Sequence, residues 1–161
     1  MDKELHRIAS TCIIYKDDLS SKNFGTAKKY LLLQRSFEKK AFPGKWTVPG
    51  GGLTVDDYID MPKTTSDHWY FAVENSLRRE VKEEAGIEVG ELKYLCDMTF
   101  IRSDNIPVVI LSFYASYKSG DINIDKDSID YAWATYEEVK NYDLIEGLID
   151  EIKMVNELIT K

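Results

Sequence analysis

Apolar and polar positions alternate along the chain in blocks that predict a mixed set of strands and a few helices. Ile8–Tyr15 is rich in β-branched residues and predicts a strand, followed by a polar loop over Lys16–Lys29. Tyr30–Gln34 is a short apolar run that suits a buried strand. Between Pro43 and Gly52, turn formers bracket one brief apolar segment. Asp67–Ala85 has the clearest helical period, and Gly86 supplies its stop. Leu92–Ile101, Val108–Tyr117 and Tyr131–Thr135 predict further strands, with a short helix from Tyr136. A last helix over Leu144–Ile159 places Leu144, Ile145, Leu148, Ile149, Ile152, Val155 and Ile159 on one broad face. Strands mixed with few helices, without regular βαβ alternation, predict an α+β fold rather than a doubly wound parallel sheet. No repeat or break in composition divides residues 1–161, so one domain is expected.

The helix before Gly86 breaks its own pattern. Val73, Leu77 and Val81 step by four, and a seven-residue repeat calls for apolar residues at 80 and 84. The chain has Glu80 and Glu84 there, with Glu83 on the same arc. Carboxylates crowded beside a core repel one another and lose hydration, at a cost of several kcal/mol per ion unless something compensates. Arg78, Arg79 and Lys82 offer local pairing, and a hard divalent cation with oxygen ligands offers more. A solvated acidic turn laced with basic neighbours is the plainer alternative, and the helix taken alone leaves the two balanced.

Composition narrows the partners. A net charge of −7 argues against long nucleic acid, whose phosphates need clustered Lys and Arg, but leaves room for a small polyphosphate bound with cations. No apolar run approaches a membrane span, and Met1–Ser10 is too polar for a signal peptide. Cys12 and Cys96 lie far apart without metal-ligand spacing, which suits small core residues in a reducing cytoplasm.

Arg79-Glu80-Val81-Lys82-Glu83-Glu84-Ala85-Gly86-Ile87 resembles the second half of the Nudix box, R-E-U-x-E-E-x-G-U with U bulky and apolar. Pro49-Gly50-Gly51-Gly52-Leu53 resembles the glycine-rich opening of that box, and Phe42-Pro43-Gly44-Lys45-Trp46 the segment that often precedes it. Leu31-Leu32-Leu33-Gln34-Arg35 is similar to the family's strand ending in arginine. The sequence departs from the pattern at one place. Eight residues before Arg79 the box has Glu, and this chain has Phe71. Residues 52–70 number nineteen where five are usual, so about fourteen are inserted, roughly over Val55–Tyr70. That stretch holds Asp56, Asp57, Asp60, Asp67, His68, Trp69 and Tyr70. Glu74 and Asp127 stand as candidates to replace the missing Glu, and the insert is expected to cover the substrate mouth.

The resemblance implies a mixed β-sheet sandwiched between helices, and hydrolysis of a diphosphate linkage in a small nucleotide-like substrate. It further implies a divalent cofactor, magnesium with manganese as the alternative. Glu83 and Glu84 would be metal ligands, Glu80 a ligand or the base that activates water, and Arg79 the residue orienting Glu80. The Gly50 carbonyl would complete the ligand set. Asp127, six residues before Trp133, is a further candidate ligand or base, against a plain charged turn. Arg35 and Gly51 are candidate substrate contacts, Arg35 as a forked phosphate donor and Gly51 through close backbone approach. A nucleoside triphosphate cleaved to monophosphate and pyrophosphate is the simplest substrate, because Ser103, Asp104 and Asn105 stand where signatures for other nucleotide derivatives would fall. A nucleotide sugar, or a catalytically silent nucleotide sensor, remains open, as does a homodimer.

Overall fold

The computed structural model describes residues 3–20, 22 and 27–161. Strand β1 covers Arg7–Asp17 and β2 covers Lys28–Arg35, so both run past their apolar centres into the polar Lys16–Lys29 connection. Residues 21 and 23–26 of that connection lie outside the described residues. Two short strands follow, β3 at Trp46–Thr47 and β4 at Gly50–Gly52, then helix α1 at Ala72–Ala85. Next come β5 at Glu88–Val89, β6 at Lys93–Ile101, β7 at Pro107–Ser119 and β8 at Ser128–Thr135. Helices α2 at Tyr136–Val139 and α3 at Leu148–Ile159 close the chain.

The sheet is mixed: β1 and β7 run parallel, and the other pairings are antiparallel. Successive side chains of β1 point to opposite faces, as a pleated strand requires. Cys12 and Ile14 meet Leu77, Val81 and Ala85 of α1 on one face. Ile13 meets Ile152 and Val155 of α3 on the other, with Val139 of α2. The expected sandwich of sheet between helices is therefore built from an alternation already visible in the strand. Cys12 is fully buried, and burial pushes its thiol up to about 12, in keeping with a small core residue. Among the described residues no helix is long and apolar enough to cross a membrane.

Two helices begin later than their apolar patterns suggest. Asp67–Phe71 is not helical, because Phe71 takes a left-handed conformation at φ 63 and stands just before the first turn of α1. That geometry costs a non-glycine residue roughly 1–2 kcal/mol and stops a helix from extending backward. Leu144 and Ile145 are likewise outside α3. Trp46 N–H donates to the Asp143 carbonyl and Ile145 N–H to the Trp46 carbonyl, so this stretch pairs beside β3 instead.

β1 and β2 share register only at Tyr15–Asp17 with 28–30, whereas Ala9–Thr11 pairs with β4. The sheet thus forks. The glycine loop fills the fork, and a cleft of about 570 Å³ opens beside it.

Candidate active site

The helix α1 ends at Gly86, whose φ of 76 suits the left-handed stop that glycine adopts without strain. Its last turns lay Glu80 and Glu84 against the glycine loop and leave Glu83 beside them on Arg79. Glu84 lines the cleft and accepts a hydrogen bond from Gly50 N–H at 2.9 Å. Glu80 lies against Gly51 so closely that a Cβ there would sit 2.3 Å from the carboxylate carbon. A side chain at position 51 would push that carboxylate away. Glu83 is the outermost, with a side chain 56% exposed.

Arg79 gathers the carboxylates on its guanidinium. It donates to Asp57 at 2.7 Å, to Glu83 at 2.8 Å and to Glu80 at 2.9 Å. Asp57 is the best buried of these partners, its side chain 3% exposed. It also accepts from Thr54 N–H and from the Ser76 hydroxyl. Burial works against its charge, but the bonds from Thr54, Arg79 and Ser76 outweigh that and hold its carboxyl below the ordinary range. Burial also opposes the charge on Arg79, and its bonds to Asp57 and Glu80 again prevail, raising its pKa.

Asp57 occupies the place that the missing box glutamate left. Counted forward from Gly51, five residues (52–56) precede Asp57, the usual spacing of the box. Counting backward from Arg79 reaches Phe71 only because the extra residues lie after Asp57, not from Val55 onward. The forward count was the signal that could have found it. Glu74, the other candidate on α1, is taken up by Arg78 at 3.1 Å. Asp127 is held by Lys39 at 2.7 Å, a bond that lowers its pKa, and it lines the cleft apart from Arg79.

The insert does not cover the cleft. None of the described residues from 53 to 71 lines it. The segment folds on itself instead: Trp69 packs on Tyr58 with ring centroids 5.4 Å apart, and its indole N–H donates to the Met61 carbonyl. Lys63 stands over the same indole at 5.1 Å. A small satellite cluster of this kind packs Tyr58 and Trp69 against each other within the segment. Trp69→Ala is therefore expected to loosen residues 58–71 in hydrogen exchange while KM for nucleotide changes less than about twofold.

Arg35 and Lys39 bring positive charge to the cleft beside Gly50, Gly51 and Glu84. Arg35 donates Nε to the Ala41 carbonyl at 2.9 Å, which fixes the plane of its fork. Lys39 carries no signal in the sequence, since a Lys39-Lys40 pair after a strand fits an ordinary solvated turn.

Burial pushes the Glu84 carboxyl up to about 7, with Glu80 and Asp125 adding to the rise and the Gly50 bond and Arg35 opposing it. The protonated form is thus favoured in the fold relative to the ordinary value of 4.5. The folded state then binds more protons than the unfolded one between these values, so stability falls as pH rises from about 4.5 through about 7. Chemical unfolding in a chelator at several pH values is expected to show this loss, and Glu84→Gln is expected to remove it.

The donor set suits a hard divalent cation. It consists of oxygens, one of them on a half-buried carboxyl crowded by other acids. Glu80 Oε2, Glu83 Oε1 and Glu84 Oε1 lie outside the hydrogen bonds that hold their partner oxygens to Arg79 and Gly50. Among the described residues no three acidic, His or Cys side chains are already drawn together around one point. Glu80 and Glu83 lean on Arg79, and Glu84 leans on the loop.

A forked mixed sheet between helices, with acids of one helix laid against a glycine loop, defines a class that comparison with known proteins identifies. The family model of the NUDIX domain matches residues 6–154, and the chain belongs to the Nudix family of hydrolases. It is similar to the nucleoside triphosphatase NudI of Klebsiella pneumoniae (strain 342), 30% identical over 126 residues, covering 71% of this chain and 79% of that protein. The NudI of Escherichia coli O81 (strain ED1a) is 29% identical with the same coverage. Among solved structures, the MutT NUDIX hydrolase of Burkholderia pseudomallei shares the fold with a TM-score of 0.69 at 21% identity, covering 94% of this chain and 99% of that one. The NUDIX domain of Shewanella oneidensis NrtR, solved with ADP ribose, has a TM-score of 0.71 at 19% identity, covering 98% of this chain and 90% of that one. Nudix hydrolases act on small nucleotide substrates and generally require divalent metal.

Proposed function

We propose that this chain hydrolyses a nucleoside triphosphate to the monophosphate and pyrophosphate, with magnesium as cofactor and manganese as the alternative. The observation that carries the reading is the meeting of Glu84, Gly50 and Arg35 in one cleft, with Glu80 and Glu83 fixed next to it by Arg79. The nucleoside triphosphatase relatives support the choice of substrate.

Glu83, Glu84 and the Gly50 carbonyl would hold the cation, with Asp127 a further candidate ligand at the cleft wall. When bound, it supplies charge to the phosphate oxygens and lowers the pKa of water. The remaining work falls to side chains. Arg35 binds and orients the phosphates from the opposite side. Arg79 holds Glu80 at the Gly51 backbone, where that backbone has no side chain to block approach. Glu80 accepts the proton of the attacking water as its oxygen joins phosphorus. The bridging phosphorus–oxygen bond breaks, and pyrophosphate leaves with the electron pair.

Incubation with each of the common nucleoside triphosphates and magnesium tests the reading. One pyrophosphate per monophosphate is expected, and orthophosphate with diphosphate would contradict it. The cytoplasm is the compartment proposed, where such nucleotides are available.

A further inference from the structure

The cleft has a further cation that the hydrolytic chemistry leaves unused. Arg7, at the start of β1, lines the cleft together with Arg35 and Lys39. Lys39 is held by Asp127, and Arg35 donates Nε to the Ala41 carbonyl. No carboxylate of the described residues forms a salt bridge with Arg7. Its guanidinium presents about five N–H donors at the cleft wall, with no anion of the chain to receive them. Exposure alone would make it an ordinary solvated residue. Its seat gives it a role.

Arg7 lies back over the glycine loop. A Cβ at position 52 would sit 2.7 Å from its guanidinium carbon, and the nearest atoms beyond the chain neighbours all belong to Arg7. Ala9 is the register partner of Gly52, which makes Arg7 a diagonal neighbour within reach of a long side chain. Position 52 is one of the five places between Gly51 and Asp57 that the box leaves free, so the box does not demand a glycine there. The room it leaves is filled by the guanidinium. Successive residues of a strand face opposite ways. Gly51 opens toward Glu80 of α1, and Gly52 toward Arg7 on the cleft side. Gly50 binds Glu84 through its N–H. β1 and β2 fork around this loop, and the cleft receives one guanidinium from each strand.

We propose that Arg7, seated on Gly52, binds a phosphate of the substrate. This rests on the reading of the cleft as a nucleotide site. A triphosphate brings several negative charges into a cleft already lined by Glu84, Asp127, Glu146 and Glu151. With Lys39 occupied by Asp127, Arg7 and Arg35 are the cleft cations left to meet them. A guanidinium binds phosphate through parallel N–H bonds, which demand that its plane be set correctly. The backbone of Gly52 supplies a flat seat for that plane. A side chain already confined there loses less freedom when the phosphate arrives.

The test measures calorimetric affinity for inorganic tripolyphosphate with magnesium, a probe that has phosphates and no base. It compares the wild-type chain, Arg7→Ala, Gly52→Ala and the double variant, each checked for folding by thermal melting. Arg7→Ala is expected to weaken binding about tenfold. Gly52→Ala is expected to weaken it about fivefold, because its methyl group takes the place of the guanidinium. Added to Arg7→Ala, the same change is expected to cost less than about twofold, since the group it would displace is gone. Losses of this kind that fail to multiply support the assignment. A loss below about threefold in either single variant, single losses that multiply in the double one, or no binding by the wild-type chain overturns it. Turnover of nucleoside triphosphates is scored separately. Its absence would remove the triphosphatase reading, and tripolyphosphate would still decide the role of Arg7.

Discussion

Glu84→Gln is expected to lower kcat by about 10²–10³-fold and to raise the melting temperature of the cation-free protein above pH 7 by about 6–12 °C. The two effects have one cause. Glu84 is the acid of α1 that lines the cleft, and burial beside Glu80 and Asp125 disfavours its charge. A carboxyl raised from 4.5 to about 7 opposes folding above pH 7 by about 3 kcal/mol. Glutamine has nearly the same shape and retains an oxygen for the Gly50 N–H, so the loop contact survives. Its neutrality removes both the unfavourable burial and the anionic ligand. Steady-state kinetics with magnesium and thermal melts in a chelator measure the two sides. A variant that lost activity and stability together would indicate a structural role for this carboxylate.

Arg79→Lys is expected to lower kcat about 10- to 100-fold with a smaller change in KM. The charge is preserved, so the loss isolates geometry. A guanidinium binds Asp57, Glu80 and Glu83 at once through separate N–H groups in a fixed plane. An ammonium is a compact charge on a flexible stem and cannot span the three. Asp57, whose side chain is 3% exposed, would keep Thr54 and Ser76 but lose its closest cation. Breaking a buried pair of this kind costs several kcal/mol, less here because the Arg79 side chain is 38% exposed; about 2 kcal/mol is expected in urea unfolding. Glu80 would be released from its place against Gly51, and the rate should suffer more than the binding. Equal loss in kcat and in nucleotide affinity would point instead to direct contact between Arg79 and substrate.

The strands were legible because β-branched and apolar runs are decisive over eight or more residues, as in Arg7–Asp17 and Pro107–Ser119. β5 was not, since Glu88–Val89 is too short to show a period. Helix starts were overrun where apolar residues fit two structures equally. Leu144 and Ile145 continue the period of α3, yet the Asp143 carbonyl and the Ile145 N–H on either side of Leu144 bond to Trp46, a contact separated by about a hundred residues. The site was legible through its anomaly, with Glu80 and Glu84 standing where an apolar stripe should run. Asp57 was hidden by the direction of counting, and Lys39 by an 88-residue separation from Asp127.

Nuclear magnetic resonance of the labelled protein titrated with a trace of paramagnetic manganese bears most directly on where the cation is held. Broadening should appear first at the amides of Gly50, Gly51, Glu80, Glu83 and Glu84 and be displaced by excess magnesium. Broadening that began elsewhere in the chain, with the end of α1 and the glycine loop unaffected, would contradict it.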